Sequence, residues 1–95
     1  MIVENKIKIA LIFRDKDAAK NFVLENSANG IVKIDSTHQF VYETPILRFV
    51  WIRPFTYHLV GSRINFVYTT EYVRNTEWFD EVIRPMLMGG TGAID

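Results

Sequence analysis

The stretch KIKIALIF, residues 6–13, limits what the rest of the chain can become. Ile7, Ile9, Leu11 and Phe13 alternate along one face of a strand, and Ala10 and Ile12 make the opposite face apolar too. A strand apolar on both faces belongs inside a sheet that is covered on both sides, as in α/β proteins. The chain must supply those coverings within 95 residues, the length of one domain. A chain this short buries only about 60–65% of its unfolded surface, so its stability is modest unless it associates.

A helix is expected next. Asp15 suits its N-cap, Asp17 favours the first turn, and Ala18, Ala19, Phe22 and Val23 form one apolar stripe. Asn29-Gly30 offers left-handed residues to end it. Residues 31–35 and 39–43 then read as a hairpin around Ser36-Thr37-His38. Residues 46–52 read as a long central strand, stopped by Arg53-Pro54 because proline cannot donate to a ladder. Residues 63–70 are the last clear strand. A second helix is expected from an Asn75 cap, burying Trp78, Phe79, Val82, Ile83, Met86 and Leu87 and kinking or ending near Arg84 because of Pro85.

The expected fold is therefore α/β (or α+β), a single small domain over residues 1–88 with a sheet of about five strands and two helices, followed by a flexible tail over 89–95. Two short helices cover a sheet on both faces only if one lies on each side, or if a partner covers one face. The expected core comprises Ile9, Leu11, Phe13, Phe22, Val23, Phe49, Val50, Phe66, Tyr68, Phe79, Val82 and Ile83.

Eleven basic and eleven acidic residues cancel. That balance argues against a general polyanion binder, leaves room for a local basic patch, and gives little repulsion against homo-oligomers. The absence of cysteine excludes disulfides and thiolate metal sites and fits a reducing compartment, so a cytoplasmic location is expected. Glu4, Lys6 and Lys8 break up the opening segment as a signal peptide, and no apolar run approaches the roughly 18 residues of a membrane span.

The turn after the first strand, Arg14-Asp15-Lys16-Asp17, has no glycine to aim backbone N–H groups at phosphate and carries two carboxylates that repel it. Glu77 shares a helix face with Asp80 and with Glu81, while the adjacent Asp80 and Glu81 diverge by about 100°, and the group reads as a solvated N-terminal helix face rather than a metal site. His38 and His58 stand 20 residues apart without cysteines, and no serine lies in a nucleophile elbow. No cofactor or metal is expected. Aromatic residues interleave with arginines: Phe49, Trp51, Arg53, Phe55 and Tyr57, with Arg48, Arg63 and Arg74 nearby. Stacking platforms beside arginines bind single-stranded nucleic acid, and the same residue types dominate protein–protein hot spots. Arg48, Trp51, Arg53, Tyr57, Arg63 and Arg74 are thus the candidate binding residues for either partner.

The runs ILRFVWI (46–52), LVGSRINFVY (59–68) and EWFDEVIRPML (77–87) resemble part of the ATPase core of phage terminase and helicase-like proteins. In that family a Gly-x-Arg turn precedes a metal-binding strand that ends in Asp-Glu. Gly61, Arg63 and residues 64–68 follow this pattern. The phosphate loop is missing, Thr69-Thr70 replace the acidic pair, and Glu71 lies past it. The resemblance implies a shrunken, non-catalytic relative of viral or mobile-element origin. The expected function is a small non-enzymatic accessory protein binding a larger protein partner. The alternatives are a nucleic-acid binder and a metal-dependent enzyme acting on phosphates.

Overall fold

The computed structural model describes residues 6–57 and 63–93. Six strands, β1 (Ile7–Ile12), β2 (Ile31–Asp35), β3 (Phe40–Glu43), β4 (Leu47–Ile52), β5 (Phe66–Thr69) and β6 (Thr91–Ala93), form one mixed sheet. Their order is β2-β3-β4-β1-β5-β6. The two-sided strand is the hinge of the design: β1 lies parallel to β4 on one side and to β5 on the other. β4, expected at the centre, shares the two middle places of the sheet with β1.

Each face has its own core. On the first face, Leu11 stands between Trp51 and Tyr68, and Ile9 between Phe49 and Phe66. Helix α1 (Lys16–Asn26) covers them with Ala19, Phe22 and Val23. Phe22 touches Phe13 and Tyr68 at ring-centroid distances of 5.3 and 5.1 Å. Ala18, expected in this stripe, is exposed, because the helix turns about 100° between it and the buried Ala19. On the second face, Ala10, Ile12, Ile52 and Val67 meet Val73, Trp78, Phe79 and Ile83 from the helical segment after β5.

The end of α1 corrects one expectation. Asn29 is left-handed, with φ 65°, but Gly30 is not. Glycine is needed at 30 for room: a Cβ there would run into the ring of Tyr42. The Tyr42 hydroxyl accepts from the Gly30 N–H (3.1 Å) and donates to the Ser27 carbonyl (2.9 Å), fastening the helix end to the hairpin. At the other end of the helix, Lys16 and Lys20 reach the Asp35 carboxylate at 2.6 and 2.8 Å.

The second helix differs most from the reading above. An unexpected short helix, α2 (Glu71–Arg74), comes first, capped by the Thr70 hydroxyl, which accepts from the Val73 N–H. The segment expected from an Asn75 cap starts one residue later, at Thr76. The Thr76 hydroxyl then donates to the Val73 carbonyl and accepts from the Phe79 N–H. A wide π-helical turn (Phe79–Ile83) and a tight 3₁₀ turn (Arg84–Met86) follow. Pro85 has no N–H to continue a regular helix, so the chain changes winding where it intervenes. Phe79 and Ile83 are both fully buried by this arrangement.

The strand expected over 63–70 is shorter, with Ile64 making only an isolated bridge to Leu87. Residues 89–95, read as a tail, contain β6, which pairs in parallel with β5. Gly92 permits this, since a Cβ there would collide with the Tyr68 ring.

Three outcomes are expected. Leu11 has no exposed surface, so Leu11→Ala should cost about 2–5 kcal/mol in urea unfolding. Ile7→Ala, at a position 47% exposed, should cost under about 1 kcal/mol. Hydrogen bonds from Lys16 and Lys20 hold the Asp35 carboxyl at about 2, below its ordinary 3.8. A carboxylate depressed on folding stabilises above its unfolded pKa and loses that contribution as pH falls through its folded pKa. Asp35→Asn should therefore be less stable than the native protein at neutral pH, and the gap should close between pH 3.8 and about 2. Urea melts across that range would check it.

Candidate functional site at the carboxyl edge of the sheet

Strands β4, β1, β5 and β6 run in one direction, so their carboxyl ends share an edge. From β1 the chain leaves to α1 on the first face and returns through the hairpin on the β4 side. From β5 it leaves to the second face and returns at β6, on the opposite side. Connections that diverge from adjacent parallel strands leave a crevice outside their carboxyl ends, where open α/β sheets hold ligands. Here that crevice has a volume of about 650 Å³, with Ile12 and Val73 at its base and Arg14, Arg53, Pro54, Phe55, Thr70 and Tyr72 around it.

Each rim residue is held by local structure. Trp51 donates its indole N–H to the Phe13 carbonyl (2.8 Å), tying the end of β4 to that of β1. The Arg53 guanidinium lies 5.7 Å from the Trp51 ring centroid, a cation–π distance. Pro54 stops the strand. Phe55 then adopts φ 65°, a conformation that costs a bulky residue about 1–3 kcal/mol and is found where surroundings enforce it. The enforcing partner is Trp78: its ring centroid lies 5.5 Å from that of Phe55, and its indole N–H donates to the Thr56 carbonyl at 2.8 Å. Phe55 is nevertheless 47% exposed, and Tyr72 on α2 is 75% exposed.

No acidic side chain among the described residues lines the crevice. Among the described residues, neither Arg14 nor Arg53 has a carboxylate within ion-pair distance. On the α1 side, the same two arginines border a second, shallower groove of about 620 Å³ that carries Asp15, Asp17, Asn21 and Thr37.

Of the residues singled out in the sequence, Arg53 lines the crevice, and Tyr57, 68% exposed, follows in the same loop. Trp51 is buried beneath α1 and acts as a support. Arg48 lies towards the opposite edge and pairs with Glu43 at 2.6 Å, which also holds Lys6 at 3.0 Å. Arg63 precedes β5, again at the opposite edge. Arg74 closes α2, 3.7 Å from Glu71. The interleaved run is thus divided between core, two edges and a helix. Arg14, Phe55 and Tyr72 were missed as site residues. The available signal for Arg14 was its place just beyond a two-sided parallel strand.

Thr69, where the resemblance puts an acidic residue, is buried with its hydroxyl 3.4 Å from the Ile12 carbonyl, and Thr70 is the α2 cap. Asp80 pairs with Arg84 at 2.8 Å. His38 sits in the exposed hairpin turn, whereas His58 and Gly61 lie outside the described residues. Among the described residues, no three His, Cys, Asp or Glu side chains gather as a metal site, and no helix is long and apolar enough to cross a membrane. No family model matches the sequence, and no curated protein or solved structure matches the chain significantly.

The edge assignment separates Arg48 from the crevice. Burial, and next the Arg48 charge, hold the Lys8 ammonium below its ordinary range. Arg48→Met should raise the Lys8 pKa part of the way back, since burial remains, and should cost at most about 1 kcal/mol of stability. NMR titration of the lysine side chains and thermal unfolding would measure both.

Proposed function

We propose that the protein is a small non-enzymatic binding module that holds an anionic ligand in the carboxyl-edge crevice. One observation carries this reading: among the described residues, no carboxylate lines the crevice that Arg14 and Arg53 border, and neither arginine has an ion-pair partner. Arginines that border one crevice with no carboxylate in ion-pair distance favour an anion from solution, and guanidinium groups suit phosphate and carboxylate oxygens. The terminase-like resemblance agrees with binding without turnover, because threonines doing backbone work occupy the place of its acidic pair. On this reading the chain is an accessory protein of viral or mobile-element origin.

A second surface supports the protein-partner reading. Ile34, Val41 and Val50 continue the Ala10 row on the second face, beside the row Ile31, Glu43, Arg48 and Lys8. The second core reaches only to Ile52, so no described helix covers this outer half. Ile31 and Ile34 are 66% and 40% exposed. An acidic amphipathic segment of a larger partner would complement these apolar residues and the cations beside them.

Inorganic pyrophosphate is a suitable probe for the crevice. A ligand that binds only the native state raises stability by about 2.7 kcal/mol at one hundred times its Kd. Pyrophosphate should raise the Tm of the native protein and of Arg48→Met, and should leave Arg14→Met/Arg53→Met unchanged. An equal shift in all three proteins, or none in the native protein, would overturn the crevice as the binding site.

A further inference from the structure

We infer that the crevice takes single-stranded nucleic acid, with a backbone phosphate on the Arg14–Arg53 ridge and a base against Phe55 or Tyr72. This inference rests on the anion-binding reading and adds the ligand. Its starting point is the company the arginines keep. Phe55, Tyr57 and Tyr72 are 47%, 68% and 75% exposed, and all three follow the carboxyl ends of β4 and β5. Phe55 is held out in a left-handed conformation, with its ring edged against Trp78. Exposed aromatic faces beside guanidinium groups stack bases and neutralise phosphates together, and this requires bases that are not already stacked in a duplex.

The shape favours a strand over a mononucleotide. Arg14 and Arg53 border both the crevice and the groove on the α1 side, so they form a divide with a depression on either flank. The two flanks differ in chemistry. The crevice offers aromatic and aliphatic surface, whereas the groove offers Asp15, Asp17, Asn21 and Thr37. Carboxylates repel phosphate but accept hydrogen bonds from exocyclic amino groups, as acidic side chains do from cytosine N4. A strand crossing the divide thus places a stacked base on one flank, a phosphate on the arginines, and an amino-bearing base on the other. An acidic peptide would satisfy the arginines, yet it would leave the aromatic faces unused and meet repulsion from Asp15 and Asp17.

The test is fluorescence anisotropy with labelled dC12, dT12, a 12-base-pair duplex and a twelve-residue glutamate peptide, run beside the pyrophosphate shift. The native protein should bind dC12 more tightly than dT12, and both more tightly than the duplex or the peptide. Binding should weaken with salt, as expected when phosphate contacts release counterions. Tyr72→Ala removes an exposed ring, so it should keep the native Tm while losing about fivefold to a hundredfold in dC12 affinity. Phe55→Leu is a second variant that retains apolar contact with Trp78, and it should show a loss in the same direction. If pyrophosphate binds through the arginines but Tyr72→Ala and Phe55→Leu bind dC12 as well as the native protein, the nucleic-acid inference falls and the anion site stands. Glutamate peptide binding as tight as dC12 would also overturn it, in favour of an acidic protein segment. If substituting both arginines changes neither ligand, the inference and the reading beneath it fall together.

Discussion

Leu11 and Ile12 are neighbours in the chain, point to opposite faces of the sheet, and are 0% and 1% exposed. Everything else answers to that pair. A strand cannot bury both faces unless another layer lies on each, and a chain of 95 residues has few segments to give. One helix goes to the Leu11 side. The irregular helical segment after β5 goes to the Ile12 side. The connections from β1 and β5 must consequently part, and the crevice is the space left where they part. Its position is thus a by-product of burying β1 twice.

The rim inherits its properties from the same geometry. Residues that follow the last buried position of a central strand are released together at one edge, whatever their distance in sequence. Arg14 and Arg53 come from segments separated by a helix and a hairpin, yet both border the crevice because β1 and β4 are paired in parallel register. Both indole N–H groups bond to carbonyls of the chain just beyond strands: Trp51 to Phe13, and Trp78 to Thr56. The loops that carry the charges are therefore anchored by the two cores themselves. A fixed rim lowers the ordering cost that a ligand must overcome.

Much of the fold was legible in the sequence because the signals were local. The two-sided pattern of residues 6–13 identified β1 and its burial, Asp15 marked the start of α1, and the turn Ser36-Thr37-His38 between two short strands marked the hairpin. Where the reading failed, the deciding contact was distant. Residues 89–95, with three glycines, offered no strand pattern, but pairing with β5 gives Thr91–Ala93 a strand partner, and Gly92 fits beneath Tyr68. Pro85 did indicate the change of winding at Arg84, whereas the separate short helix capped by Thr70 left no apolar period to read. The site was half legible. Arg53 and Tyr57 stood out by composition, but Arg48, Arg63 and Arg74 share that composition and are placed elsewhere by strand direction.

The two tryptophans give the molecule a property of another kind. It has only two, and they occupy opposite cores, each one hydrogen bond away from a loop at the carboxyl edge. Trp51 lies under the Arg53 guanidinium, and Trp78 lies against the Phe55 ring. Indole emission depends on nearby charge and on stacking neighbours, so occupancy of the rim is written into the intrinsic fluorescence of the chain. Shifting Arg53 would alter one emitter, and shifting Phe55 would alter the other. Replacing either indole in turn would let one spectrum separate an event at the arginines from an event at the aromatic ring, with no attached label.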